Sequence, residues 1–371
     1  MSLRNCVTGL AAGVLALGVA LPGTAAGVLT MLPGGVAGDV QRVGMNHGEN
    51  ARWVAMRYGV NPVRVKPAID SSGKSYGVVH VDTRHVVPSF ETKIEGLVLN
   101  VPEAEVYLVR GGDIVKHYPV AVSAPDKPVR IGLTQVVHME KNPSWYIPAS
   151  IQKEMGRKAT KRTVVPPGPK NPLGPRWIGF WDGSYGMHGT NVPTSIKQYA
   201  SHGCVRFRAG DIKDLYERVY VGTPVRVVYQ PVVMGVDEQS IWLQVYPDIY
   251  KKGFDYKGSV AALAKLAGLQ DRVNWAAVAR AVARHDGIIA NVGPGGAFQS
   301  AEDPTASIEE AVAGGAPRAP MQRVAPKPVI KTQEPPTPHE RLIPEDQMPG
   351  GSVPDEPSLT ENPPAPWFTQ P

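Results

Sequence analysis

Cys204 is the residue with the clearest chemical potential, because it follows Ser201-His-Gly in a short turn and precedes a predicted helix. Backbone N–H groups at such a turn can converge on one point, where they stabilise an oxyanion and lower the pKa of a thiol. His188 lies upstream at the end of a predicted strand, from which it can reach the sulfur across the fold. Since a thiolate beside an imidazolium is the minimal activated nucleophile, the spacing predicts nucleophilic cysteine chemistry with His188 as the base.

Arg206 lies two residues beyond this cysteine. In an extended segment its side chain projects to the same face as the thiol, where a guanidinium can bind a carboxylate through two parallel hydrogen bonds. The alternative is a surface salt bridge with Asp211 or Asp214. The position therefore predicts either a carboxylate-binding arginine or an ordinary ion pair.

The chain has two cysteines, Cys6 and Cys204, which excludes a disulfide-stapled small domain and a zinc site with four thiolates. His188, His202 and Cys204 supply three candidate zinc ligands. However, no Cys-x-x-Cys or His-Glu-x-x-His motif occurs, and adjacent sequence offers no obvious fourth ligand. We therefore expect no metal and no other cofactor.

The N-terminus has the composition of an export signal. No charged residue lies between Arg4 and Asp39, and the apolar run Gly9–Leu21 is followed by small residues. This pattern predicts a secretory signal peptide over 1–26, whose cleavage leaves Cys204 as the only thiol. An uncleaved membrane anchor is the alternative, because Val28–Leu32 extends the apolar run.

The elements that position the cysteine lie in a segment rich in short β-prone runs, about 96–230. Gly111-Gly112-Asp113 predicts a hairpin turn, and Ala209–Val219 predicts the one clear helix, with Ile212, Leu215 and Val219 on one face. The fold class is therefore mainly β.

Before this segment, residues 38–88 predict a small α+β unit with a helix over Glu49–Tyr58 and a strand at Val78–Asp82. The arrangement resembles a degenerate LysM repeat, a module that binds N-acetylglucosamine polymers. A short prodomain packed on the next domain is the alternative.

After it, residues 231–290 predict a short α/β extension with helices over Ser259–Leu269 and Trp275–Arg284. Seventeen prolines in the last 80 residues predict a disordered tail over 291–371. The whole chain of 371 residues carries a net charge of +6 while the tail is acidic, so the basic charge belongs to the folded part. That charge suits an anionic substrate or plain solubility, and it is too diffuse to predict nucleic-acid binding.

The motif His188-Gly-Thr followed by Ser201-His-Gly-Cys-Val-Arg closely resembles the signature of the L,D-transpeptidase catalytic domain (YkuD type). Asn142-Pro-Ser-Trp145 and Val221-Gly-Thr-Pro-Val225 add to the resemblance, which covers about 96–230. The chain is similar to the periplasmic branch of the family, which attaches lipoprotein to peptidoglycan or makes 3→3 crosslinks.

The resemblance implies a β-sandwich-like catalytic domain in which Cys204 is the acyl-enzyme nucleophile and His188 the general base and acid. It also implies that the Gly189 carbonyl orients the imidazole and that backbone N–H groups near His202 and Gly203 hold the oxyanion.

Arg206, Ser201 and Trp145 are the predicted substrate-binding residues. The substrate implied by the family is a peptidoglycan tetrapeptide stem, cleaved between meso-diaminopimelate and D-alanine. The acceptor is open: a second stem gives a crosslink and a lysine of an outer-membrane lipoprotein gives an anchor, whereas water makes the protein a hydrolase of the same bonds. A non-catalytic peptidoglycan-binding protein is the remaining alternative.

One segment departs from the family pattern. The usual Thr-Pro-x-Gly before the lid region is Val129-Arg-Ile-Gly132 here. The departure concerns the conformation of the lid and the choice of acceptor, and it leaves the thiol chemistry intact.

Overall fold

The β-prone runs of the sequence form strands in the computed structural model, which describes residues 31–69, 77–154, 164–238 and 240–294. Within these ranges the strands, numbered in chain order, are β1 Leu32–Ala37, β2 Val40–Gly44, β3 Val65–Pro67, β4 Val78–Asp82, β5 His85–Ser89, β6 Gly96–Asn100, β7 Glu105–Arg110, β8 Asp113–Pro119, β9 Val122–Ser123, β10 Gly132–Lys141, β11 Trp145–Tyr146, β12 Val164–Val165, β13 Arg176–Phe180, β14 Tyr185–His188, β15 Tyr199–Ser201, β16 Val205–Arg206, β17 Pro224–Val228, β18 Val232–Val236, β19 Ile241–Val245 and β20 Ala290–Asn291. The α-helices are α1 Ala51–Tyr58, α2 Ala149–Glu154, α3 Ala209–Tyr216, α4 Tyr256–Leu266 and α5 Trp275–Arg284.

The central sheet contains eight strands in the order β16-β14-β13-β10-β17-β6-β7-β8. The long strand β10 joins its two halves: Gly132–Gln135 pair with β17, and Val136–Lys141 pair with β13 across a register shift. Apolar side chains from both halves enter one core, among them Leu97, Leu99, Val106, Ile178, Phe180 and Met187. The sheet therefore encloses its core, and the predicted mainly-β fold is confirmed.

The middle of each of the strands β6 and β7, 97–99 and 106–109, is apolar because both of their faces are covered. Leu97 and Leu99 enter the main core, whereas the intervening Val98 enters a second core with Val86 and Val233. Alternate residues of a strand point to opposite faces, so a strand buried on both sides cannot show polar alternation.

The predicted hairpin is confirmed, since Gly111 and Gly112 form the two-residue loop between β7 and β8. Helix α3 begins at Ala209 as predicted and ends at Tyr216, before Val219. Its apolar face buries Ile212 and Leu215 in the main core. The helix therefore follows directly on the segment that contains Cys204 and Arg206.

The region predicted as a small α+β unit contains α1 and the three-stranded sheet β2-β4-β3. Asn50 caps α1 by accepting the N–H groups of Arg52 and Trp53, and Gly59 ends the helix. Val54 and Ala55 pack against Val81 of the sheet. The helix predicted here is confirmed.

A five-stranded sheet, β20-β19-β18-β1-β5, joins distant parts of the chain. Strand β5 lies within the predicted unit 38–88 yet pairs with β1, which in turn pairs with β18 of the predicted extension. Helices α4 and α5 cover this sheet through Leu263 and Val278. The domain boundaries proposed from the sequence stay a prediction.

The predicted signal peptide, 1–26, lies outside the described residues, as do residues 295–371 of the tail predicted over 291–371. The prediction of disorder is wrong for the start of this tail, since Asn291 pairs in β20 and Val292 is buried. All described residues belong to one compact unit. In the described ranges no helix is both long enough and apolar enough to cross a membrane.

Candidate active site

Cys204 lies in the tight turn between β15 and β16. Gly203 has a φ of +117°, and a Cβ at this position would lie 3.1 Å from the ring of Tyr185. Both facts favour glycine immediately before the cysteine. The turn thus holds Cys204 in a conformation that a bulkier neighbour would disturb.

Ser201 holds the turn together from within. Its buried hydroxyl donates to the carbonyl of Cys204 and accepts the N–H of Gly203 at 3.3 Å. The sequence predicted a substrate contact for Ser201, and the hydrogen bonds of its hydroxyl instead lie inside the turn. Among the described residues, the backbone N–H groups of His202 and Cys204 have no hydrogen-bond partner. These two amides, rather than that of Gly203, are free to bind an oxyanion.

His188 ends β14, and its ring is buried and fixed from two sides. The Nδ1 atom lies 2.6 Å from the carbonyl oxygen of Gly189. Because a carbonyl only accepts hydrogen bonds, this contact favours a proton on Nδ1, and the carbonyl of Pro172 is a second backbone acceptor for the ring. The ring of Trp177, directly opposite on β13, stacks on the imidazole with centroids 5.7 Å apart. The contact expected between Gly189 and His188 is therefore present.

The sequence offered no signal for Trp177, which reaches His188 across the position of Gly186. A Cβ on Gly186 would lie 2.3 Å from the Trp177 ring. Glycine at this place in β14 therefore lets the indole lie flat against the strand and against the imidazole.

The parallel pairing of β14 with β16 places His188 opposite Arg206, two residues beyond Cys204. Met187 pairs with Val205, and His188 with Arg206. Because Met187 and Val205 point into the main core, their strand neighbours His188 and Arg206 share the opposite face. Cys204 directly precedes β16, and its sulfur lies at the Gly186 N–H of β14.

Electrostatics at this face differ from the prediction. Although Cys204 keeps some exposed surface, protein atoms surround its sulfur and burial raises the pKa of the thiol, against the opposing effects of the Gly186 N–H and of Arg206. Burial also lowers the pKa of His188 to about 4; the Gly189 carbonyl opposes this effect and the positive charge of Arg206 adds to it. The prediction of a lowered thiol pKa is therefore wrong for the free protein, whose thiol and imidazole are both neutral near pH 7.

The physical reason is that desolvation outweighs the local dipoles. Helix α3 begins only at Ala209, and the favourable field of a helix N-terminus falls off within its first turn. The Cys204 thiolate consequently gains little from the helix while it loses its hydration.

These pKa directions predict how alkylation of the thiol depends on pH. Since only the thiolate reacts, the rate of Cys204 modification by iodoacetamide should rise about tenfold per pH unit and still be rising at about pH 9. The measurement is mass spectrometry of the Cys204 peptide, with the same peptide from Cys204→Ala as the blank. A rate that stays constant from about pH 5 to pH 8 would show a thiolate–imidazolium pair and contradict this assignment.

Arg206 makes none of the ion pairs weighed for it from the sequence. Asp211 pairs with Arg208 at 2.6 Å, and Asp214 pairs with Arg218 at 2.9 Å. The backbone of Arg206 bonds to that of Ala121, while its guanidinium has no hydrogen bond or ion pair among the described residues. A half-buried arginine without a counter-ion is costly, so this position suits an anionic ligand.

Strands β11 and β12 and helix α2, together called the flap, border the turn at His202. Trp145 of β11 pairs with Val165 of β12 and is half-buried. The His202 imidazole lies 2.7 Å from a carboxylate oxygen of Glu154 at the end of α2, and Lys127 binds the same carboxylate. The sequence did not signal Glu154 or Lys127 as part of the site.

The His202 contact also bears on the metal interpretation. The ring of His202 binds the flap, and in the described ranges no three histidine, cysteine, aspartate or glutamate side chains are grouped as a possible metal site. The residues that the structure does assemble are a thiol, an imidazole and a guanidinium.

Comparisons with known proteins match the chain to one family. The L,D-transpeptidase catalytic domain family (YkuD) matches residues 95–227. The probable L,D-transpeptidase ErfK/SrfK of Salmonella typhimurium is 30% identical over 223 residues, which are 58% of this chain and 71% of that protein. The probable L,D-transpeptidase YbiS of Escherichia coli is 34% identical over 203 residues, 53% of this chain and 65% of that protein. The chain thus spans about two thirds of the length of these relatives.

Among solved structures, an L,D-transpeptidase from Mycobacterium smegmatis is 16% identical, with a TM-score of 0.29, and the match covers 55% of this chain and 97% of that one. The family assignment rests on the sequence matches, whose span includes His188, Cys204 and Arg206 within 95–227. By these matches, the chain belongs to the L,D-transpeptidase family.

Proposed function

We propose that this protein is an L,D-transpeptidase that acts on peptidoglycan tetrapeptide stems through a thioester on Cys204. The stem is cleaved between meso-diaminopimelate and D-alanine and is transferred to an amine. The observation that supports this function best is the pairing of His188 with Arg206 beside Cys204, whose sulfur lies at the Gly186 N–H of the His188 strand.

In the first step, the Cys204 sulfur attacks the carbonyl carbon of meso-diaminopimelate while the imidazole of His188 takes the thiol proton. Proton transfer accompanies attack because the resting pair is neutral. The N–H groups of His202 and Cys204 are the donors proposed for the oxyanion. Collapse of the tetrahedral intermediate breaks the C–N bond, and the proton on His188 passes to the departing D-alanine amine.

In the second step, an acceptor amine attacks the thioester and His188 takes its proton. The sulfur leaves as a thiolate and recovers that proton from His188. The acceptor is either a second stem, which gives a 3→3 crosslink, or a lysine of an outer-membrane lipoprotein. These substrates lie outside the cytoplasm, in keeping with the proposed export to the periplasm.

The test of this function is to trap the acyl-enzyme. We expect the full chain, incubated with disaccharide-tetrapeptide, to release D-alanine and to gain the mass of the stem without D-alanine on the Cys204 peptide. The matched control is the disaccharide-tripeptide, which lacks D-alanine and should give neither signal. A carbapenem, which forms a stable thioester, provides a second readout of one equivalent on Cys204.

The proposal fails if neither compound labels Cys204, or if the label maps to another residue. D-alanine release with no Cys204 adduct from either the stem or the carbapenem would point to a different nucleophile.

A further inference from the structure

Tyr250 lies in the predicted C-terminal extension, yet its hydroxyl reaches a loop beside the cysteine turn. The Tyr250 hydroxyl hydrogen-bonds to that of Ser123 and accepts the N–H of Val129 at 3.2 Å. The same N–H donates to the Ser123 hydroxyl at 3.1 Å. The hydrogen bonds among these three groups join the two ends of the loop 123–129 to each other and to Tyr250.

Residues 121–124, at the start of this loop, contact both strands that flank the cysteine turn, β15 and β16. Ala121 exchanges two backbone hydrogen bonds with Arg206, of 2.9 and 2.8 Å. On the side of β15, β9 pairs with this strand, and the N–H of Ala124 donates to the carbonyl of Ser201 at 2.8 Å. The position of residues 121–124 therefore sets the distance between β15 and β16, the strands on either side of Cys204.

The middle of the same loop reaches the flap. Lys127 binds Glu154, whose carboxylate also binds the imidazole of His202. A displacement of the loop 123–129 would consequently move the cysteine turn from two directions, through its strand pairing and through His202.

The extension holds Tyr250 firmly in place. The ring stacks on Tyr229 with centroids 5.3 Å apart. The N–H of Tyr250 donates to the Tyr229 hydroxyl at 2.9 Å, and that hydroxyl donates to Asp248 at 2.5 Å. Since the rotamer of Tyr250 is fixed by these contacts, its hydroxyl can act as a rigid anchor for the loop.

We propose that Tyr250 is a positioning residue for transpeptidation, so that the extension completes an active site that the catalytic domain only partly fixes. The residue lies beyond the family match, which ends at 227. The inference rests on the proposed role of Cys204 as the nucleophile.

The test compares Tyr250→Phe with Tyr256→Phe in the full chain, with D-alanine release as the assay. Tyr256 lies in the same extension, and its hydroxyl donates to the Tyr246 carbonyl at 3.0 Å. The lost hydroxyl has two hydrogen-bond partners in Tyr250 and one in Tyr256, so we expect Tm to fall by about 2–4 °C in Tyr256→Phe and by up to about twice as much in Tyr250→Phe. Only Tyr250→Phe should lower kcat, by about tenfold or more, with KM changed less than about twofold.

Ser123→Ala gives a second, independent measurement. Because the hydroxyls of Tyr250 and Ser123 bind each other and the same Val129 N–H, Ser123→Ala combined with Tyr250→Phe should lower kcat by less than the product of the two single losses. A merely structural tyrosine would lower Tm without a separate loss of kcat.

Equal kcat values for Tyr250→Phe, Tyr256→Phe and the wild type would overturn the positioning role and leave the proposed function standing. Additive losses in the double variant would also overturn it, since the two hydroxyls would then act separately. Failure of the proposed function looks different, because Cys204 would then remain unlabelled by stem and carbapenem in the wild type itself.

Discussion

Replacement of Cys204 by alanine is expected to lower the rate of D-alanine release at least about 10⁴-fold, because removal of a covalent nucleophile leaves only binding and oxyanion stabilisation. The fold should persist, since Ser201 bonds to the backbone of residue 204 rather than to the thiol. The measurement is single-turnover release of D-alanine from disaccharide-tetrapeptide, with circular dichroism as the check on folding.

The matched control is Cys6→Ala, which removes the other cysteine of the chain and should leave the rate unchanged. A folded Cys204→Ala protein that releases D-alanine at more than a few per cent of the wild-type rate would falsify the assigned nucleophile.

The second large effect is expected at Arg206. Arg206→Gln should lower kcat/KM for the tetrapeptide by about 10²–10³-fold, because the stem carboxylate would be desolvated without its cation. Arg206→Lys should recover only part of the loss, since an ammonium cannot reproduce the planar two-point contact. Steady-state kinetics of D-alanine release measure both effects.

Arg218→Gln is the control for charge alone, because Arg218 lies on the surface in an ion pair with Asp214; its kcat/KM should stay within about twofold of wild type. Stems amidated at D-alanine or at diaminopimelate identify the carboxylate concerned. The stem that lacks the carboxylate bound by Arg206 should react at the same rate with the wild type and with Arg206→Gln. If Arg218→Gln loses as much activity as Arg206→Gln, Arg206 does not bind the substrate carboxylate. The same conclusion follows if neither amidated stem removes the difference between Arg206→Gln and the wild type.

Much of the local structure could be predicted because its causes are local. Asn50 and Gly59 limit α1, and the two glycines after Arg110 make the hairpin of β7 and β8. The mainly-β fold was likewise recognisable from its short β-prone runs. The family was recognisable because the Ser-His-Gly-Cys turn is formed by adjacent residues. Helix α4 shows the limit of such reasoning: it spans Tyr256–Leu266 rather than Ser259–Leu269, because Asp255 caps it earlier.

Properties that depend on desolvation or on distant partners could not be predicted. The sequence indicated a lowered thiol pKa from the turn and the nearby helix, but burial of the sulfur has the opposite and larger effect. The choice between a carboxylate-binding and a salt-bridged Arg206 likewise depended on which arginines reach Asp211 and Asp214, and these are Arg208 and Arg218.

The sequence by itself determined the chemical groups of this protein, a thiol, an imidazole and a guanidinium on motifs short enough to be recognised. Only the tertiary structure decided their protonation, their partners and their support. Trp177 stacks on His188 from another strand, and Tyr250 reaches Ser123 from the extension. The physical reason is that hydrogen bonds and burial depend on distance in space, and residues far apart in the chain meet only when the strands pair.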